Sequence, residues 1–402
     1  MDQPHEPRPM GERTRRLSMS VDPPQQTRHR LVRAFHVLIR IACPWATLGV
    51  VIAAVCLPYA MLFTDDLGPA SRWLLAWSYL AFMLRTFEPH IAIACAAACG
   101  VLLVGHRRRA ALVAIAVAGA WATPTLWSAW AGGVRTSDAP SSAGTPQHTI
   151  RVLSSNLLVW SAAPHLVQAE IDAADPDLIL FQEYTSTASH VLVPALSREY
   201  PFFFENSSDT STGQAIFSRV PFVQTGHITT VGVPRSRDDR AATNAQLFAD
   251  VEIDGVVVHI VCVHTFPPDG LTLFDAERRQ FRALADHAAG IECPVLLMGD
   301  FNSPTRTPQM RTLLVAGNLH DANAGFGLHA TWPKLRWWMR PIPGVRLDQA
   351  FTRGLVCESS RVLGPINSDH LPILMEFRLE AGMRAASLPA RSERSTPHLR
   401  AP

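Results

Sequence analysis

The sequence predicts a mixed domain of strands and helices, of α/β or α+β class, set behind a group of membrane-spanning helices. Three observations lead there. Two charge-free runs of more than 20 residues stand in the first third of the chain, each long enough to cross a bilayer. From about residue 149 the pattern changes to short apolar runs alternating with amphipathic stretches. Two of those runs flank an Asp254-Gly255 pair, a hairpin signal that a purely parallel sheet would not contain.

Residues 1–36 are rich in Pro, Gln, Arg and Ser and read as a disordered, basic, cytoplasmic tail. The first apolar core starts too far along the chain for a signal peptide. A membrane region is expected over 37–134, with spans at about 41–64, 87–105 and 110–134. Residues 73–84 are apolar and aromatic but short, and are expected in the outer interface, where Trp and Tyr are favoured. Arg28, Arg30 and Arg33 and the run Arg107, Arg108, Arg109 belong on the cytoplasmic side. That requires an even number of crossings between them. The third span then leads out, and the rest of the chain lies outside the cytoplasm.

Residues 135–148 (RTSDAPSSAGTPQH) form a Ser/Pro/Gly/Ala linker, 149–379 a globular domain, and 380–402 a second disordered tail. Within the domain, strands are expected at 150–154, 178–181, 214–217, 246–253, 256–263, 295–298, 347–352 and 371–377. Helices are expected at 164–174, opened by Pro164, at 188–199 and at 276–289. The seven cysteines lack CxxC spacing and read as small buried hydrophobes. Residues 151–379 carry 18 Lys and Arg against 24 Asp and Glu, a net of −6. That is a poor match for nucleic acid, which a basic face normally holds, so no nucleic-acid partner is expected.

Polar residues recur where the strands end. Asn156 ends the first, Glu183 the second, and His264 another; Asp300 and Asn302 close a fourth. Asp348 and the Asp369-His370 pair open the last two. Singly, each reads as a turn residue or a satisfied structural group. Six in order across one domain suit metal-assisted hydrolysis of a phosphate ester. Mg²⁺ prefers hard oxygen ligands and keeps several waters, so a few carboxylates suffice. Glu183 and Asp369 are the first candidates as ligands, with Asn156 and Asn302 as neutral ligands or phosphate-positioning groups. A histidine poised near neutral pH can take a proton or stabilise developing charge.

The ordered set SSNLL (154–158), FQE (181–183), VHT (263–265), GDFNS (299–303), RLDQAF (346–351) and SDHLPI (368–373) resembles the endonuclease/exonuclease/phosphatase superfamily. GQAIFSRVPF (213–222) is similar to another of its stretches. The resemblance implies a four-layer α/β/β/α sandwich, so the full expectation is an α+β DNase I-like domain preceded by three transmembrane helices. It also implies Glu183 as principal metal ligand, with Asn156 and Asp369 nearby and Mg²⁺, or alternatively Mn²⁺, as the ion. Asp300 would orient or activate water, and Asn302 would support the phosphate. His370 would act as base or transition-state stabiliser, Asp348 would orient a histidine, and His264 matches a second histidine of many members. Gln349 stands where the family often has an aromatic residue.

The anchor and external domain together resemble membrane-bound teicoplanin-resistance proteins. This implies a membrane-bound enzyme acting on a lipid-linked phosphate, a pyrophosphate of cell-wall synthesis, with a role in glycopeptide resistance. A phospholipid or sphingomyelin-type phosphodiesterase, an extracytoplasmic nuclease and an inactive receptor or scaffold are the alternatives. WPKLRWWMRPIP (332–343) places Trp and Met beside Lys334, Arg336 and Arg340, which suits a lipid headgroup or a pyrophosphate. The competing reading is an aromatic-rich loop packed on the domain.

Overall fold

The computed structural model describes residues 23–63, 71–130, 149–159, 163–230, 245–333 and 344–380. The N-terminal apolar runs form four helices: α1 (Pro23–Leu62), α2 (Arg72–Thr86), α3 (Glu88–Val104) and α4 (Arg108–Trp130). By length and composition, α1 and α4 can each cross a membrane. A third crossing is reached only by counting α2 and α3, bent by 65°, as one span. Three spans were expected, and two stand by themselves. Pro89 in the first turn of α3 explains the bend, because proline cannot continue the hydrogen-bond ladder of α2 and disfavours helical geometry just before it. α1 begins inside the stretch expected to be an unstructured tail. Its 40 residues extend roughly 60 Å, about twice a hydrocarbon core, so its arginine-bearing end reaches beyond the apolar span.

Small residues let these helices approach closely: Ala53, Ala92, Ala111, Ala114 and Ala118 are all buried in their shared core. Trp121 of α4 is fully buried and donates its indole N–H to the Ala53 carbonyl of α1 at 3.1 Å. α2 turns aside and lays Tyr79 and Phe82 against Phe274 of the following domain.

That domain has two six-stranded sheets. The first runs β11 (Leu355–Val362), β12 (Ile373–Leu379), β1 (Thr149–Asn156), β2 (Leu178–Gln182), β4 (Gln214–Ser218), β3 (Phe202–Asn206). The second runs β5 (Phe222–Thr229), β6 (Ala245–Ile253), β7 (Val256–His264), β8 (Val295–Asp300), β10 (Asp348–Arg353), β9 (His320–Asp321). Four helices follow in chain order: α5 (Pro164–Ala174), α6 (Ser186–Leu196), α7 (Gly270–Ala289) and α8 (Pro308–Ala316). Pairing is parallel for β1 with β2 and β7 with β8, and antiparallel elsewhere.

Alternation along the strands builds the layers. In β2, Leu178 and Leu180 enter the core between the sheets, while Ile179 and Phe181 face α5 and α6. In β8, Leu296 and Met298 point inward, while Val295 and Leu297 meet α7 and α8. Both strands are therefore apolar throughout, as strands covered on two faces must be. The order is helix, sheet, sheet, helix. The Asp254-Gly255 turn has positive φ at both residues, 49° and 77°, the geometry that joins β6 to β7 in a two-residue hairpin. β3, β5, β9, β11 and α8 have no counterpart among the expected elements.

Candidate active site

Strand register assembles the site. His264 at the end of β7 stands beside Asp300 at the end of β8, and Asp300 stands beside Asp348 at the start of β10. Lateral neighbours in a sheet project to the same face. In the other sheet Asn156 ends β1 beside Gln182, and Glu183 follows. Gly299 permits the close approach of β8 to β7, since a Cβ there would lie 2.0 Å from the Val263 carbonyl oxygen.

Asn156 joins the sheets. Its Nδ2 donates to Glu183 Oε1 at 3.1 Å and to Asp300 Oδ2 at 2.9 Å. The other Glu183 oxygen accepts from Val159 N at 3.0 Å. Glu183 has a left-handed backbone, φ 54°, which is costly for a residue with a Cβ. Tyr184 N, donating to the Gly213 carbonyl, holds the chain there. His264 Nε2 lies 3.9 Å from Glu183 Oε1 and 3.8 Å from Asp300 Oδ2.

His370 completes the cluster. Its Nδ1 donates to Asp348 Oδ2 at 2.8 Å, and its Nε2 lies 3.6 Å from Asp300 Oδ2. A carboxylate only accepts, so Asp348 fixes the tautomer and leaves Nε2 facing the cluster. Burial opposes charge on His370, but the Asp348 and Asp300 carboxylates outweigh it and push its pKa up to about 10. Asn302 takes part through its backbone: its N donates to Asp300 Oδ1 at 2.8 Å, and its side chain donates to the Thr265 carbonyl at 2.9 Å.

Asp369 stands differently from the others. Its Oδ2 accepts the Trp332 indole N–H at 3.0 Å, and among the described residues no hydrogen bond or ion pair joins it to Glu183, Asn156 or Asp300. Lys334, Arg336 and Arg340 lie outside the described residues.

The donor set fits a divalent cation. Asp300, Asp348 and His370 have ligand atoms within 4.8 Å of one another, but two of these groups are already bonded to each other. The better fit is Glu183 with Asp300. One neutral amide donates to both carboxylates, so a cation would relieve their repulsion. Hard oxygens of this kind suit Mg²⁺ or Mn²⁺.

Several supporting residues escape a reading of the sequence. Thr331 Oγ1 accepts from the N–H groups of Leu347 and Asp348, both at 3.1 Å. Gln246 holds the His264 backbone from both sides and accepts from Gln214 of the opposite sheet. Gln349 binds the Ser303 carbonyl and accepts from Thr305, tying down the loop after Asn302. The signal available for the glutamines was an amide at the head of an otherwise apolar strand.

The family model described as "Endonuclease/Exonuclease/phosphatase family" matches residues 153–370, more than half of the chain and every clustered residue above. The chain belongs to the endonuclease/exonuclease/phosphatase family, whose members are typically phosphoester hydrolases and usually depend on a divalent metal. Among solved structures, it is similar to an endonuclease/exonuclease/phosphatase from Beutenbergia cavernae, with 20% identity over 58% of this chain and 72% of that one and a TM-score of 0.46. It is similar to another from Bacteroides vulgatus, with 16% identity over 58% and 100% of the two chains and a TM-score of 0.47. A sphingomyelinase C from Streptomyces griseocarneus gives 17% identity over 58% and 99%, with a TM-score of 0.44. No curated protein matches the chain.

Proposed function

We propose that this is a membrane-anchored hydrolase, dependent on Mg²⁺ or Mn²⁺, that cleaves a lipid-linked pyrophosphate on the extracytoplasmic side of the cell membrane. One observation carries the reading. Arg306, four residues beyond Asn302, donates through Nε to Glu88 Oε2 at 3.2 Å. Glu88, at the start of α3, is 1% exposed and also accepts from Arg85 and from Thr125 of α4. The loop leaving the site is thus bonded to the helices expected in the bilayer. A substrate presented by the membrane would arrive beside it. In this reading α1, α3 and α4 span the membrane and α2 lies in the outer interface. The arginines before residue 40 and at 107–109 face the cytoplasm. The acidic domain argues against DNA as substrate.

Glu183 and Asp300 would hold the ion, with Asn156 tethering both carboxylates and Asp369 as an outer ligand. Bound there, it would polarise a phosphoryl oxygen and offset charge on the leaving oxygen. Asp300 orients the attacking water, because its Oδ2 lies within reach of Asn156, His264 and His370. His370, fixed by Asp348 and held protonated by the Asp348 and Asp300 carboxylates, presents Nε2 to the reacting phosphate and donates to a phosphoryl or leaving oxygen. Asn302, Lys334, Arg336 and Arg340 bind the phosphate groups.

Hydrolysis by the detergent-solubilised full chain tests this, read as inorganic phosphate from the pyrophosphate and as cleaved organic product from the two diesters. The arms are a lipid pyrophosphate, a phospholipid and single-stranded DNA, each with Mg²⁺ or EDTA and with His370→Ala as control. Release from the lipid pyrophosphate that needs both Mg²⁺ and His370 is expected. Cleavage of phospholipid or DNA instead would discard the substrate while keeping the site.

A further inference from the structure

We propose that the groove between α3, α4 and the site-bearing edge of the C-terminal domain binds the apolar chain of a phosphorylated lipid and aligns its anionic end with the Asp300–His370 cluster. This rests on the reading of a lipid substrate given above. The groove encloses about 390 Å³, within the size range of ligand pockets. Ala92 and Ile93 of α3 and Leu126 of α4 form one wall, and Leu328 and Val345 form the other. Leu328 is 58% exposed, although it belongs to the domain outside the helix bundle. An apolar side chain so placed, facing apolar helices across a cleft, is suited to covering a hydrocarbon chain.

The groove is lined by charged residues as well. Arg85, Arg306 and Arg346 line it with Glu88. Counting Asp321, which holds Arg346 at 2.9 Å, three positive charges face two negative ones, an excess that favours an anion. Hydrogen bonds tie this lining to the loops of the site. Arg346 lies two residues before Asp348, and its Nη2 donates to Thr305 Oγ1 at 2.7 Å. Thr305 in turn donates to Gln349, whose Nε2 holds the Ser303 carbonyl. Arg346 and Thr305 thus rest on the two loops that position Asp300 and Asp348, and Ile93 and Leu126 on helix faces expected to meet lipid. A single ligand with a phosphate head and a hydrocarbon tail satisfies both kinds of lining.

The test uses the full chain carrying His370→Ala in nanodiscs with Mg²⁺, so that lipid binds without turnover. The probe is a long-chain lipid phosphate with a diazirine in its chain, and cross-linked peptides are mapped by mass spectrometry. Labelling at Ile93, Leu126 and Leu328, competed by unlabelled lipid phosphate and not by a neutral diacylglycerol of equal chain length, is expected. In the otherwise native chain, Leu328→Glu should lower the ratio of kcat/KM for long-chain over short-chain phosphoester about tenfold. Labelling confined to other helix faces, or equal competition by the neutral lipid, would overturn the groove even if lipid pyrophosphate is hydrolysed. Groove labelling in a chain whose native form hydrolyses no lipid phosphate would keep the groove and discard the proposed reaction.

Discussion

Among the described residues of the C-terminal domain, two histidines bond an aspartate through Nδ1, and their contrast shows what makes one of them a site. His370 Nδ1 binds Asp348 at 2.8 Å, and His259 Nδ1 binds Asp250 at 2.6 Å. Both imidazoles are buried. The difference is what the second nitrogen meets. His370 Nε2 faces Asp300 in a cluster with Asn156, Glu183 and His264. His259 Nε2 meets His287 Nε2 of α7 at 2.9 Å, with Phe248 packed alongside. One pair stands at the ends of strands from both sheets, where acceptors converge. The other lies on the outer face of one sheet beneath a helix. An Asp–His pair is therefore no signature by itself, and its position along the strand decides its chemistry.

Substitutions can break the comparison. His370→Ala is expected to lower kcat for phosphate release about 10³-fold and, because it strands the buried Asp348 carboxylate, to lower the melting temperature as well. Asp348→Asn keeps the shape of the pair but removes the charge that orients the imidazole, and should cost about 10²-fold in kcat. His259→Leu should leave kcat within about twofold and destabilise the fold by about 1–3 kcal/mol, because it strands the partners of a buried hydrogen-bonded group. Thermal melts and phosphate release on the same preparations separate these effects. If His259→Leu abolished turnover while the melt was unchanged, the contrast drawn between the pairs would fail.

Much of the C-terminal domain was legible because its chemistry is periodic. Strands covered on both faces show as apolar runs, α5 is opened by Pro164, and the Asp254-Gly255 turn announces its hairpin. β11 was missed because LVCESSRV, an edge strand with polar residues on both faces, has no apolar run to mark it. β3 was missed because FFFEN is short and follows a turn. The clustered polar residues were legible as strand ends, but their bonds were not. Register alone sets Asp300 between His264 and Asp348, and no spacing in the sequence encodes register across sheets. Asp369 shows the limit. Adjacent to His370 in sequence, it turns instead to the Trp332 indole. The N-terminal helices were legible as apolar runs, but the bond of Glu88 to Arg306 depends on tertiary docking.

The structural pair also makes a prediction that the site pair does not. Burial, and then the neighbouring His259, push the His287 pKa down to about 4, with Asp250 opposing. In the unfolded chain His287 titrates near 6.5. Between these values the unfolded state binds a proton that the folded state refuses, so stability falls as pH is lowered. The contribution is fully present above about pH 6.5 and is progressively lost down to pH 4. After discounting for the partial exposure of the ring, the loss is roughly 1–2 kcal/mol. His287→Phe keeps a ring beside Phe248 and removes the titration. Thermal melts of the full chain between pH 7 and pH 4.5 should therefore fall less steeply for His287→Phe than for the native chain. Equal slopes would mean that His287 is not held neutral by its burial against His259, and that this second pair is more open to water than its packing under α7 implies.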